Sequence, residues 1–130
     1  QFGAHGTTFG GNPLAAAVAR AALREISSPQ VLANVVRQSL AIRDALAALD
    51  AELGLFSEIR GCGLMLGAQL REAHAGKAGL ILDLCVEQGL LLLQAGPDVL
   101  RFVPALNISD EDVAEGLERL RAALAAFVNA

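Results

Sequence analysis

A glycine-rich loop with two adjacent hydroxyl side chains stands at the head of the chain. Residues 5–13 read His-Gly-Thr-Thr-Phe-Gly-Gly-Asn-Pro, and an alanine-rich segment follows directly. Free backbone N–H groups, two hydroxyls and a helix start in so short a stretch are what an oxyanion such as phosphate needs. Asn12 suits the N-cap and Pro13 the first helical position, so a helix is predicted from Leu14 to Ile26.

The chemistry of this loop leaves two interpretations open. The hydroxyls of Thr7 and Thr8 can donate hydrogen bonds to phosphate oxygens. They can equally bond to their own backbone in an ordinary, well-capped loop. The loop lacks both the Gly-x-x-x-x-Gly-Lys-Ser/Thr pattern of a nucleotide P-loop and the Gly-x-Gly-x-x-Gly pattern of a dinucleotide site.

An arginine interrupts an apolar strand late in the chain. Val99, Arg101 and Val103 alternate onto one face of that predicted strand. The planar guanidinium fork can grip a carboxylate in a bidentate pair. An arginine on a solvated strand edge would need no ligand, so a carboxylate site and a solvent-exposed side chain both remain open.

Other polar residues have structural interpretations. Arg60 precedes a glycine turn and is predicted to bond backbone carbonyls, while His5 is predicted to be satisfied within its loop and His74 to be exposed. Cys62 and Cys85 lack metal spacing and a disulfide framework, which predicts buried free thiols in a reducing cytoplasm. Two distant histidines without clustered carboxylates do not predict a metal site.

Composition narrows the class of protein. The chain has 130 residues, about one domain, with a net charge of −4, one lysine and no tryptophan or tyrosine. Because it has neither a basic patch nor an aromatic stacking platform, nucleic-acid binding is not expected. The longest uncharged run, residues 1–19, is broken by glycines and polar residues, so no membrane span is expected.

The chain is also apolar for a small domain, with 54% hydrophobic and only 18% charged residues. Two explanations carry equal weight: an alanine-rich core, or apolar surface that a missing part of the protein or a partner subunit covers. The abrupt start in a glycine loop, without an initiator methionine, is expected of a fragment of a longer protein.

Periodicity predicts an α+β fold in which helices cover a small, mostly antiparallel sheet. The predicted helices span residues 14–26, 29–53 and 78–88 and a last segment capped by Ser109; the predicted strands span residues 56–60, 64–70, 90–93 and 99–103. The residues predicted to be buried are Val31, Val35, Ile42, Leu46, Leu49 and Leu53 on the long helix, Leu64, Leu66, Ala68 and Leu70 on one strand, and Val113, Leu117, Leu120, Leu124 and Phe127 on the last helix.

Three segments resemble, in order, motifs of the class III pyridoxal-phosphate aminotransferases, and most of all their acetylornithine/succinylornithine branch. They are residues 3–15, residues 60–67 (Arg-Gly-Cys-Gly-Leu-Met-Leu-Gly) and residues 99–108 (Val-Leu-Arg-Phe-Val-Pro-Ala-Leu-Asn-Ile). The resemblance implies the C-terminal part of a fold-type I enzyme. Residues 1–27 would be a phosphate-contact loop and helix at the edge of a missing large domain, and residues 28–130 the C-terminal small domain.

The resemblance also implies roles for three side chains. Thr8 would contact the phosphate of pyridoxal 5'-phosphate and Thr7 would lie by the substrate, both in the neighbouring subunit's site of a homodimer. Arg101 would lie at the mouth of the active site, where it meets a substrate carboxylate or an acidic gate residue of the large domain. No catalytic residue is expected in this chain, because the cofactor-bearing lysine lies upstream of Gln1 in the family and the only lysine here is Lys77.

The implied reaction moves an amino group between N-acetylornithine, or N-succinylornithine, and 2-oxoglutarate, as part of arginine metabolism in the cytoplasm. The fragment alone is expected to be inactive. Three alternatives remain: an ornithine or 4-aminobutyrate aminotransferase of the same class, a non-catalytic α+β interaction domain, and an independent phosphate-binding module.

Overall fold

The computed structural model describes residues 6–129, so the expectation for His5 falls outside the described residues. Within that range four helices, a single 3-10 turn and four strands alternate along the chain. In chain order they are α1 (Pro13–Ile26), α2 (Pro29–Leu53), β1 (Phe56–Cys62), β2 (Met65–Leu70), the 3-10 turn (Glu72–His74), α3 (Ala78–Glu87), β3 (Leu93–Gln94), β4 (Val99–Phe102) and α4 (Asp110–Val128). The predicted α+β class is confirmed.

Polar caps start three of the helices where the sequence predicts them. The side chains of Asn12, Ser28 and Ser109 each accept a hydrogen bond from a backbone N–H in the first turn of α1, α2 and α4 respectively. Gly54 ends α2 in the left-handed conformation, with φ of 65°. These caps fix where each helix begins or ends, and therefore where the connecting loops lie.

All strand pairs are antiparallel, in the order β1-β2-β4-β3. The predicted strand at residues 90–93 is wrong in extent, because only Leu93 and Gln94 pair with β4. Continuing that register would pair residues 90–92 with residues 102–104, but β4 ends at Phe102 and Pro104 has no N–H to donate. Residues 90–92 therefore lie outside the sheet.

The helices α2, α3 and α4 cover one face of the sheet. That face carries Leu66 and Ala68 of β2, which pair with Phe102 and Leu100 of β4, and these four side chains are buried. The predicted alternation of buried residues in β2 and the buried stripe of α4 are both confirmed, with Leu117 only partly buried. The opposite face, which we call the open face, carries Gly67 of β2 and its partner Arg101 of β4.

Gly61 is required where β1 and β2 come close together. Its φ is 136°, and a Cβ atom there would lie 2.0 Å from the Met65 carbonyl oxygen. This close approach lies next to the turn that joins β1 and β2, so the glycine serves packing rather than chemistry.

Helix α1 buries none of its residues. Its large apolar side chains are exposed, from 75% for Leu14 to 46% for Ile26, and α2 exposes a second stripe of Leu32, Val36 and Leu40. An alanine-rich core does not account for side chains that lie outside it. The structure therefore favours the second explanation of the apolar composition, a surface made to be covered.

The two cysteines differ from the prediction that both are buried. Cys62, at the end of β1, is exposed because its side chain lies on the open face of the sheet. Cys85 is buried in the core. Burial raises the pKa of the Cys85 thiol from 9.0 to about 11.

We expect the free energy of unfolding of this chain to fall as pH rises from about 9 to about 11. In that window the unfolded chain has lost the Cys85 proton while the folded chain still holds it, so alkali favours the unfolded state. Urea unfolding at pH 8 and pH 10.5 checks this, and Cys85→Ala should flatten the dependence. The assignment to Cys85 would be contradicted if the free energy of unfolding of Cys85→Ala still fell with pH as it does in the unmodified chain. It would also be contradicted if this pH dependence disappeared in the matched variant Cys62→Ala.

Candidate functional site

Arg101 stands out because it has no partner among the described residues, residues 6–129. On the open face it lies between Gly67 of β2 and Leu93 of β3, half-buried. Each of the other arginines that follow α1 has a bonded partner. Arg43 donates to the Gly61 carbonyl, and the ion pairs are Arg37–Asp110, Arg60–Glu58, Arg71–Asp50, Arg119–Glu115 and Arg121–Glu52. A half-buried guanidinium without a partner is expected to take an anionic one from elsewhere.

Arg101 is one of the residues that line an apolar groove of about 230 Å³. Its walls include Leu93, Val103 and Leu117, and its one carboxylate, Asp112, accepts a 2.8 Å hydrogen bond from the Ser109 hydroxyl at the start of α4. The residues that line the groove thus include one negative and one positive side chain, Asp112 and Arg101. In apolar surroundings a charge-assisted hydrogen bond is stronger than in water.

The threonine loop before α1 is exposed throughout residues 6–11. Neither Thr7 nor Thr8 uses its hydroxyl in a hydrogen bond to another described residue, so the interpretation as self-bonded loop hydroxyls finds no support there. Thr7 packs its methyl group over Gly10, where a Cβ atom would lie 2.0 Å from it. Asn12 closes the loop, since its backbone N–H and its side-chain amide both donate to the Phe9 carbonyl.

Only some of the polar groups of the loop are available to bind a phosphate. Asn12 Oδ1 already accepts from the Ala15 N–H at 2.9 Å, and Pro13 has no N–H, so the helix start offers an anion less than its sequence indicates. What remains are the hydroxyls and the amides of the glycines. No lysine or arginine lies within residues 6–13, so the charge of a phosphate would have to be balanced by groups outside this loop.

The structure does not bring the threonines and the arginine together. Thr7 and Thr8 do not line the groove beside Arg101, and α1 packs against α2 rather than against the sheet. Within the described part of the chain, the two candidate contacts belong to separate surfaces.

Two sequence-based interpretations of polar residues are wrong. Arg60 donates to the side chains of Glu58 and Gln69 rather than to backbone carbonyls, because its side chain lies on the open face of the sheet. Arg43 of α2 instead donates to the Gly61 carbonyl, at 2.7 Å. His74 is half-buried, not exposed. Its ring lies edge-on to Phe127 at 5.5 Å between centroids.

Lys77 also belongs to that aromatic contact. Its Nζ lies 5.8 Å from the centre of the Phe127 ring, between α3 and α4. This places the only lysine of the chain in a packing contact away from the threonine loop.

A polar cluster on α2 was not predicted. Gln38 is 2% exposed and donates to Asp110, while Asn34 and Arg37 bind the residues around the start of α4. The signal was present in the sequence, because Gln38 falls between Val35 and Ile42 in the apolar stripe of the long helix. A polar residue in such a stripe indicates a buried, hydrogen-bonded contact.

Among residues 6–129, no three His, Cys, Asp or Glu side chains come together as a metal site would require. In the same range, no helix is long and apolar enough to cross a membrane.

The chain matches the aminotransferase class-III family over residues 1–124. It is 70% identical over 128 residues to the acetylornithine aminotransferase of Xanthomonas campestris pv. campestris, a match that covers 98% of this chain and 31% of that protein.

Solved structures agree with the sequence match. The crystal structure of N-acetylornithine aminotransferase from Stenotrophomonas maltophilia superposes with a TM-score of 0.88 and 66% identity, over 92% of this chain and 33% of that one. The ornithine aminotransferase of Toxoplasma gondii, seen with partial occupancy of PLP at its active site, gives a TM-score of 0.83 and 31% identity, over 97% of this chain and 30% of that one. The chain thus spans about a third of the length of these relatives.

Proposed function

This chain belongs to the class-III aminotransferase family, and from that premise we propose that the whole protein is a pyridoxal-phosphate-dependent acetylornithine aminotransferase. It moves the terminal amino group of N-acetylornithine to 2-oxoglutarate, in the cytoplasm and as part of arginine metabolism. The observation that carries the proposal is the 70% identity to an acetylornithine aminotransferase over 98% of the chain.

Residues 1–27 then belong to the edge of the large domain and residues 28–130 form the small domain. The burial pattern supports this division. Helices α2, α3 and α4 share one core with the sheet, whereas α1 buries nothing and exposes Leu14, Val18 and Leu23. A helix with so apolar an exterior needs a covering partner, and the preceding two thirds of the protein, together with a second subunit, supply it.

Pyridoxal phosphate, when bound, supplies the electron-withdrawing ring that lets an amino group change carriers. In the proposed homodimer the Thr8 hydroxyl donates a hydrogen bond to its phosphate in the neighbouring subunit's site, and Thr7 lies by the substrate there. Both hydroxyls are exposed and unengaged among the described residues, as a contact across an interface requires. The balancing positive charge and the cofactor-bearing lysine come from residues upstream of Gln1.

Arg101 binds a carboxylate at the mouth of the same site. The carboxylate belongs either to a substrate or to an acidic side chain of the large domain that closes the groove until substrate arrives. The apolar residues that line the groove with Arg101 lower the local dielectric and so strengthen the pair. Measuring KM and kcat separately distinguishes these two partners.

The test is the activity of the full-length protein with four amino donors: N-acetylornithine, N-succinylornithine, ornithine and 4-aminobutyrate. We expect the highest kcat/KM for N-acetylornithine with 2-oxoglutarate as acceptor. Residues 1–130 alone should give no turnover, because the chain lacks a lysine near the cofactor loop.

Other outcomes of that assay separate the alternatives. A preference for ornithine or 4-aminobutyrate would move the protein to another branch of the same family. A full-length protein that binds no pyridoxal phosphate would instead support a non-catalytic interaction domain. Turnover by purified residues 1–130 would contradict the assignment of the missing lysine.

A further inference from the structure

We propose that Asn34 of α2 is a positioning residue for Arg101, because it holds the β4–α4 loop, residues 103–109, in the shape that forms the groove beside the guanidinium. The inference rests on the proposed function, in which Arg101 binds a carboxylate. Asn34 itself touches neither substrate nor cofactor.

Asn34 uses its side-chain amide fully. Its Nδ2 donates to the carbonyl oxygens of Leu106 at 2.9 Å and Ile108 at 3.0 Å, two acceptors of the same loop. Its Oδ1 accepts from Arg37 Nη2 at 2.7 Å, which fixes the orientation of the amide. Inside the loop the Ile108 N–H donates to the Ala105 carbonyl at 3.0 Å, and the Asn34 hydrogen bonds tie this turn to α2.

Asp110 fastens the far end of the same loop. Its Oδ1 accepts from Arg37 Nε and Nη2, both at 3.1 Å, and from the amide of the buried Gln38. The start of α4 is thereby tied to α2, while β4 holds the other end of the loop to the sheet. Between these two anchors, Asn34 holds residues 106–108 against α2.

The loop links the two candidate contacts. Pro104 and Ile108 line the groove together with Arg101, so a shift of the loop changes the surroundings of Arg101. On its other side, Leu106 and Asn107 lie against the C-terminal end of α1, the helix that the threonine loop precedes. Arg101 has no bonded partner among residues 6–129, so its direction depends on these surroundings.

The experiment is a double-mutant cycle in the full-length enzyme saturated with pyridoxal phosphate. We expect Asn34→Leu to raise KM for N-acetylornithine about five- to ten-fold with kcat changed less than two-fold, because it removes two hydrogen bonds from the loop without touching the reacting groups. In the Arg101→Ala background, the same Asn34→Leu change should alter KM less than two-fold, since there is no guanidinium left to position.

Arg43→Met is the matched control, because Arg43 lies on the same helix and holds the Gly61 carbonyl of β1 instead of the β4–α4 loop. It should leave KM unchanged. If Asn34→Leu does not fold, Asn34→Ser, whose hydroxyl can donate one of the two bonds, enters the same cycle with a rise of about two- to three-fold expected.

Equal KM effects of the Asn34 change with and without Arg101 would overturn the positioning role, as would no KM effect at all. An intact wild-type protein without transaminase activity would instead defeat the proposed function, and this inference with it. Normal activity with an additive cycle defeats the inference alone, so the two failures are distinguishable.

Discussion

Arg101→Ala in the full-length protein is expected to raise KM for N-acetylornithine about 100-fold. A bidentate guanidinium–carboxylate pair makes two charge-assisted hydrogen bonds, each contributing about 1.5–3 kcal/mol, so even the lower figure for both gives roughly two orders of magnitude. The apolar groove keeps water from replacing the lost contact. Steady-state kinetics that resolve KM from kcat check this result.

Two further variants sharpen the measurement. Arg101→Lys keeps the positive charge but loses the planar fork, so an intermediate rise of roughly ten-fold is expected. Arg121→Ala removes an exposed arginine that pairs with Glu52, and such surface pairs contribute only about 0–1 kcal/mol, so it should leave the kinetics unchanged.

The pattern of the Arg101→Ala result identifies the carboxylate partner. A higher KM with little change in kcat points to the substrate. A lower KM with little change in kcat points to an acidic residue of the large domain that pairs with Arg101 until substrate arrives, because substrate binding then no longer has to break that pair. Kinetics equal to those of the unmodified enzyme would remove Arg101 from the site.

Local physics explains why most of the fold was predictable from sequence. Caps such as Asn12 and Ser109 act on their own first turn, and alternation in β2 reports burial directly, so neither depends on distant residues. The extent of β3 could not be read in this way. It depends on where the neighbouring strand ends, and Pro104 sets that limit only once the register between β3 and β4 is known.

The polar contacts were harder to predict for a related reason. Arg60 and Arg43 both lie near the Gly61 turn, and only the three-dimensional path of α2 over β1 decides which of them reaches the carbonyl. Cys62 looked buried by residue type but lies on the open face. A single sequence shows which residues can make polar contacts more readily than it shows which partner each of them contacts.

The sequence names the candidate site residues, but it does not show how they are arranged in space. Thr7, Thr8 and Arg101 are polar residues at positions where local structure has no use for them, and this marked them in the sequence. Their separation onto two surfaces of the chain is a matter of tertiary structure. In the proposed homodimer, this separation is compatible with threonines that reach the neighbouring subunit's site.

Thr8→Ala in the full-length protein is expected to weaken pyridoxal-phosphate binding about ten-fold or more. The lost hydrogen bond is made to a charged phosphate and is worth about 1.5–3 kcal/mol. Titration of cofactor-free enzyme by absorbance or fluorescence measures the change in Kd. Thr8→Ser, which keeps the hydroxyl, should bind the cofactor within about two-fold of the unmodified protein.

A hybrid dimer decides which subunit's cofactor Thr8 contacts. One subunit carries Thr8→Ala and the other lacks the cofactor-bearing lysine, so each alone forms a defective homodimer. If Thr8 reaches across the interface, both defects fall in one active site and the other site is complete, with normal cofactor affinity. If it acts within its own subunit, the site that keeps the lysine is the one that lost the hydroxyl, so weak binding in the hybrid would refute the contact between subunits.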